Sequence, residues 1–305
     1  MNSPTRSSLM NDRNSSARPA EAPTWRDLVR AARTDLGDAN EGLILAAEAA
    51  GMSRAELVLA LDASPERRDR VRFSRLVDQR ARGAPIQHVV GHWGFRRLDL
   101  VVDGRALVPR PETELTAEVA IAELAAGRSS AGRTLVVELG TGSGAIACSL
   151  VSELATVAVV ATDRSPAALE VAVLNRARLE PEQARRVEFR LGDWYGALDP
   201  TMTGRVDLVV ANPPYIAASE WHDLDPVVRD FDPREALVAG ETGREAIEEI
   251  LLGAPVWLSD GAAVVVEVAP HQVSAVVAFA SRSGAREVGV RRDLAGRDRV
   301  VVARW

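Results

Sequence analysis

Lysine is absent from this chain of 305 residues, so all 37 of its basic side chains are arginine. The sequence therefore cannot supply the phosphate lysine of a Walker-A site, the Schiff-base lysine of a pyridoxal-phosphate enzyme or a lysine general base. Cysteine is nearly as scarce. Cys148 stands alone, which excludes an internal disulfide framework and a cysteine-rich metal site. Its apolar neighbours, Ala145 to Val151, mark it as a core residue rather than a nucleophile. The four histidines (His88, His92, His222, His271) lie in separate segments without metal-ligand spacing, so no metal is expected. No apolar run is long enough to span a bilayer. Residues 1–22 are rich in Ser, Arg, Asn and Pro and lack the apolar segment of a secretory signal. A disordered tail over residues 1–23 and a cytoplasmic location are expected. A basic excess is missing too: the net charge of −6 gives no electrostatic footprint for stable nucleic-acid binding.

What is present divides the chain. From Thr24 to residue 88, apolar residues recur at helical spacing, as in Trp25, Leu28, Val29, Ala32 and again in Leu43, Ile44, Ala47, Ala50. Ser53-Arg54-Ala55-Glu56 reads as a capping box that opens a further helix. A small helical domain over 24–88 is expected, then a β-hairpin connector over 89–105, where Leu98, Leu100 and Val102 alternate among glycines and aromatics. Apolar runs in 106–305 predict strands at Thr134–Leu139, Val157–Thr162, Val187–Leu191, Val206–Ala211, Ala262–Val268, Glu287–Val290 and Val300–Ala303. Helical stretches separate most of them, which implies an α/β fold with a mainly parallel sheet covered on both faces. Only the segment from Arg291 to Arg299 joins the last two strands. It is too short for a helical crossover, so the final strand is expected to run antiparallel to its neighbour.

Three successive strand ends carry residues suited to one ligand. After the first, Gly140, Thr141, Gly142, Ser143 and Gly144 form a turn whose backbone can approach a ligand closely. Glu138, just before it, is either an acid near the amino-acid end of a cofactor or a carboxylate satisfied by loop N–H groups. Asp163 ends the second strand, where a ribose diol would be gripped; its alternative role is to cap the helix entered at Ser165-Pro166. Asp193 and Trp194 end the third and suit an adenine edge and face, with ordinary core packing the alternative for the tryptophan. Together they describe an adenosine nucleoside without pyrophosphate.

Asn212-Pro213-Pro214-Tyr215 follows the fourth strand. Two successive prolines hold the backbone nearly rigid. The Asn212 carboxamide and the Pro213 carbonyl then form a pair of fixed acceptors, with the Tyr215 ring alongside. Such a site suits a planar –NH2 group; a proline-rich turn without chemistry is the alternative.

The order of these segments resembles the class I S-adenosylmethionine-dependent methyltransferases, and the Asn212–Tyr215 run resembles the branch that methylates planar nitrogen. Arg82-Gly83-Ala84-Pro85-Ile86-Gln87-His88, Leu107-Val108-Pro109-Arg110-Pro111-Glu112-Thr113-Glu114 and Phe231-Asp232-Pro233-Arg234-Glu235-Ala236-Leu237 are similar to segments of the HemK/PrmC family. The resemblance runs from about Thr24 to Trp305. It implies a Rossmann-like methyltransferase domain behind a helical substrate-recognition domain, with S-adenosylmethionine as cofactor. The implied reaction is methylation of N5 of the glutamine in the Gly-Gly-Gln motif of class I peptide chain release factors. In that setting Asn212, Pro213, Pro214 and Tyr215 hold the substrate amide, and Asn212 also borders the cofactor. Leu107–Glu114 becomes a wall of the site, with a domain linker as its alternative. A monomer is expected. Two positions depart from the family pattern: Asp232 stands where Glu is more usual, and Glu267-Val268-Ala269-Pro270 replaces a run containing glycine. Competing readings are a ribosomal-protein glutamine as substrate, N6 of a flipped adenine in DNA, and a non-catalytic cofactor-binding module.

Overall fold

The computed structural model describes residues 22–126 and 134–305, so all but the last two residues of the expected tail lie outside the described residues. Two compact units divide the chain between Ala81 and Arg82. The first contains α1 (Trp25–Leu36), α2 (Ala39–Ala50), α3 (Arg54–Leu59) and α4 (Arg67–Ala81). Each of the first three starts on a side-chain cap: Thr24, Asp38 and Ser53 accept a backbone N–H, and Thr24 and Ser53 complete capping boxes with Asp27 and Glu56. Trp25 meets the Phe73 ring edge-on at 6.0 Å between centroids, and Leu45, Leu57 and Leu76 are buried.

In the second unit α5 (Ile86–Val90) leads into an antiparallel hairpin of β1 (His92–Phe95) and β2 (Leu98–Val101). Next comes α6 (Pro111–Ala126), which has proline at its first position and Glu112 and Glu114 in its first turn, both favourable at a helix N-terminus. The chain then alternates: β3 (Thr134–Leu139), α7 (Ala145–Glu153), β4 (Val157–Asp163), α8 (Pro166–Arg176), the short α9 (Pro181–Ala184), β5 (Val187–Leu191) and β6 (Val206–Ala211). A two-residue strand β7 (Ile216–Ala217), α10 (Pro226–Phe231) and β8 (Val238–Gly240) follow, and β7 pairs with β8. The remainder is α11 (Glu245–Trp257), β9 (Leu258–Glu267), α12 (Val273–Arg282), β10 (Glu287–Arg292) and β11 (Asp298–Arg304).

Seven strands form one sheet in the order β10-β11-β9-β6-β3-β4-β5. The pairs from β9 to β5 are parallel, and β11 is antiparallel to both β9 and β10. The final strand therefore lies between two earlier ones rather than at an edge. Strand periodicity sorts the core into two layers. Val137 and Leu139 join Ile247 and Ile250 of α11 and Val276 of α12 on one face. Val136 joins Ala117 of α6 and Ile146 and Leu150 of α7 on the other. Burying each larger aliphatic side chain contributes about 1.5–3 kcal/mol. The same alternation points the Glu138 carboxylate into the layer beneath α7. From β3 the chain moves through β4 to β5 and then returns to β6 on the opposite side of β3. The carboxyl ends of β3 and β6 thus flank the switch point at which open α/β sheets bind ligands.

Candidate active site

A cavity opens at that switch point. Its wall takes Glu138, Gly140 to Ser143 from the end of β3, Asp163 from β4, Asp193 and Trp194 beyond β5, and Asn212 and Pro214 beyond β6. Leu107 to Arg110, Thr113 and the Pro233–Ala236 region close the other side. The Leu107–Glu114 segment is therefore a wall of the cavity as well as a connection.

The glycine turn is shaped by its surroundings. Gly140 has φ +71° and lies under the indole of Trp194, where an added Cβ would come within 3.3 Å of the ring. Gly144, beneath the loop and outside the cavity lining, has φ +79° and would crowd Phe189 and Ala172 at 3.1 and 3.2 Å. Trp194 itself has φ +38°, a left-handed conformation that costs a bulky residue about 1–2 kcal/mol. A hydrogen bond from Thr162 Oγ1 to the Trp194 carbonyl at 3.1 Å helps to hold it there. Trp194 thus packs against the core and faces the cavity as well.

Asp163 accepts the Gly142 N–H on one carboxylate oxygen and the Ser165 N–H on the other, each at 2.8 Å. The cap of α8 is Ser165, whose hydroxyl accepts from Ala168 N. Asp163 orders the turn before that helix and keeps further lone pairs for a ligand. Burial pushes its carboxyl above the ordinary range, and the two backbone N–H bonds oppose the shift.

Glu138 is 1% exposed and accepts from Thr141 Oγ1 at 2.7 Å and Ala147 N at 3.0 Å. Its partners are thus one loop hydroxyl and one N–H of α7 rather than a set of loop N–H groups, and it borders the cavity. Burial pushes its carboxyl up to about 8 from 4.5. A carboxyl with a raised folded-state value contributes stability that is full below the unfolded value and is lost as pH rises through the folded one. The cofactor-free protein is accordingly expected to lose thermal stability between about pH 4.5 and 8. Glu138→Gln should flatten part of this slope in a melting series, and an unchanged slope would rule Glu138 out as its source. Cys148, fully buried on α7, is pushed up to about 12 by burial and offers no thiolate.

Asn212 is half-buried, and its Nδ2 donates to Thr113 Oγ1 at 3.0 Å. That bond uses the –NH2 end of the carboxamide and leaves Oδ1 as an acceptor. Pro213 is buried, and both it and Tyr215 fall outside the cavity lining. Tyr215 packs against the core instead, and its carbonyl accepts from Gln272 Nε2 at 2.9 Å. The Asp232 carboxylate is buried, pairs with Arg110 and accepts the Val108 N–H, so it ties the Phe231–Leu237 segment to the Pro-Arg-Pro wall. The divergent Glu267–Pro270 run does not line the cavity; it lies behind the Asn212 loop, where Glu267 accepts from Thr116 Oγ1 at 3.0 Å. Sequence reading missed the Thr113–Asn212 bond, which spans 99 residues. A single acid within the otherwise apolar stretch from Ala262 to Val268 was the available signal for Glu267.

A glycine turn, a cavity-lining carboxylate with spare lone pairs and an aromatic face fit S-adenosylmethionine, and the fold and site define a class I S-adenosylmethionine-dependent methyltransferase. Residues 6–91 match the PrmC N-terminal domain, and residues 120–228 match the methyltransferase small domain. The release factor glutamine methyltransferase of Rhodopirellula baltica is 37% identical over 85% of this chain and 86% of its own length. That of Cereibacter sphaeroides is 40% identical over 85% and 88%. Among solved structures, the hMettl16 catalytic domain in complex with an RNA hairpin shares the fold at 13% identity, with a TM-score of 0.53, covering 75% of this chain and 81% of that one. The chain belongs to the release factor glutamine methyltransferase family.

Proposed function

We infer that this enzyme methylates N5 of the glutamine in the Gly-Gly-Gln motif of class I peptide chain release factors. The observation that carries the reading is Asn212 at the cavity wall, its Nδ2 engaged by Thr113 and its Oδ1 left to accept. Family membership supplies the substrate class. An amide nitrogen is a weak nucleophile because its lone pair is delocalised into the carbonyl. S-adenosylmethionine, when bound, supplies a methyl group on a positively charged sulfur. Asn212 Oδ1 accepts an amide N–H and aims the nitrogen; such alignment is worth up to roughly 7 kcal/mol at the favourable end. The same acceptor favours the positive charge that develops on nitrogen. Tyr215 acts by packing behind the loop. Gly140 to Ser143, Asp163, Asp193 and Trp194 hold the cofactor, with Glu138 beneath the turn. The helical region 24–88 serves substrate recognition, and the protein works as a cytoplasmic monomer without stable nucleic-acid binding. No helix among the described residues is long and apolar enough to cross a membrane.

Methyl-labelled S-adenosylmethionine offered with a release factor, its Gln→Ala variant, ribosomal proteins and duplex DNA tests the reading. Label should enter only the unaltered release factor. Label that survives the Gln→Ala change, or that prefers another acceptor, would overturn it.

A further inference from the structure

The acceptor geometry at Asn212 depends on a group that does not touch the cavity. Glu267, at the end of β9, is 1% exposed in a run otherwise apolar from Ala262 to Val268. Its carboxylate accepts from the Thr116 hydroxyl at 3.0 Å, and the Thr113 hydroxyl, one turn earlier on α6, also favours its ionised form. Thr113 in turn accepts from Asn212 Nδ2. A hydroxyl has one proton and an ionised carboxylate can only accept. While Glu267 is ionised, Thr113 must donate to it, so only its oxygen is open to Asn212, and only the –NH2 end of that carboxamide can satisfy the oxygen. We propose that Glu267 is a positioning residue: through Thr113 it fixes the Asn212 carboxamide with Oδ1 toward the substrate amide.

The polarity is reversible. A protonated Glu267 can donate to Thr113, whose own proton then turns to Asn212 and draws Oδ1 away from the substrate. Burial pushes Glu267 up to about 7, opposed by the two threonine hydroxyls and by Arg299 of β11, while Glu112 of α6 raises it further. Tyr215, beyond β6, also faces this group, and it shares the field of Arg299, Arg110 and Glu112. Arg299 Nε is buried without a hydrogen-bond partner among the described residues and stands 3.9 Å from the Asp293 carboxylate, so the positive charge that acts on Glu267 is itself paired. Methyl transfer is thus expected to rise as pH increases through neutrality.

The inference rests on the role given to Asn212 above, so one arm of its test is read without substrate. In cofactor-free protein the side-chain 15N signal of Asn212, assigned by its loss in Asn212→Asp, should titrate with a midpoint near 7. It should be flat in Glu267→Gln. A flat wild-type signal, or a titration that survives in Glu267→Gln, overturns the proposal. In the transfer assay Glu267→Gln and Thr113→Val should each lower kcat about tenfold, with cofactor Kd within about twofold of wild type. Glu267→Gln should also lose the acid limb of the kcat profile. The double variant should be no worse than Thr113→Val, because both changes break one relay, and Thr113→Ser should restore most of kcat. Additive losses, or an acid limb that survives in Glu267→Gln, overturn it. Absence of transfer by the wild-type enzyme would instead count against the assigned substrate and leave the titration result standing.

Discussion

Asn212→Ala is expected to reduce methyl transfer by about 10²–10³ while the protein stays folded, the loss reported for a single oriented group at a reacting centre. The substitution removes the Oδ1 acceptor and frees the substrate amide to rotate away from the methyl group. Its effect on the fold is small because the bond lost is one N–H donated to Thr113 Oγ1. Thr113 keeps its own donor engaged by Glu267, so no buried donor is orphaned and the stability loss should be about 1 kcal/mol. Cofactor affinity should change by less than about threefold. Single-turnover transfer to a release factor, alongside calorimetric cofactor titration, checks both halves. Near-normal turnover by a folded variant would remove Asn212 from the chemistry. Lost cofactor affinity would make it a binding residue.

The second large effect is expected at Asp163. Asp163→Ala should weaken S-adenosylmethionine binding about 100-fold, the equivalent of roughly 2.7 kcal/mol. Two losses combine. The carboxylate that faces the cavity disappears, and the Gly142 and Ser165 N–H groups lose their acceptor, which loosens the turn that carries the glycines. A ligand that binds only the folded state raises the melting temperature according to its Kd. Wild type should therefore show a clear cofactor-dependent thermal shift at concentrations where Asp163→Ala shows almost none. An equal shift in both proteins would mean that Asp163 serves only to order the turn.

Much of this architecture was legible because its strands are buried on both faces and read as continuous apolar runs. Thr134–Leu139 and Val206–Ala211 were readable to the residue for that reason, and the edge strand Val187–Leu191 was matched although its apolar residues alternate with Glu188 and Arg190. β9 starts at Leu258 rather than Ala262 because Val206 pairs with Leu258 across a register shift, which no local pattern records. The antiparallel direction of the last strand followed from a short connection, but its place between β9 and β10 depends on pairing partners distant in sequence. β7 and β8, two and three residues long, carry no periodicity and were invisible. The cofactor side was legible because glycines and acids at strand ends are local signals. The substrate side was only half so. Asn212 could be read from its prolines, whereas the Thr113 that orients it, and the Glu267 behind Thr113, come from segments 99 and 55 residues away in sequence. Pro213 and Tyr215 were expected at the cavity surface, but the chain turns inward there and its carbonyl is held by Gln272.

The insertion of β11 between β9 and β10 makes the Asn212 side of the site depend on a strand that follows both of its sheet neighbours in the chain. Val300 pairs with Glu267, and Val268 N donates to the Arg299 carbonyl at 2.9 Å, so the last strand clamps the residues directly behind the Asn212 loop. Until β11 pairs, a gap stands where that clamp belongs, and pairing between β9 and β11, which are separated by a helix and a strand in sequence, is non-local and therefore slow to form. The glycine turn and the Asp163 carboxylate can assemble early from contiguous chain. The Asn212 side must wait for Asp298–Arg304 to pair. Proteolytic removal of this segment would strip Val301 and Ala303 from one core layer and Val300 and Val302 from the other, so the clamp and the core are lost together.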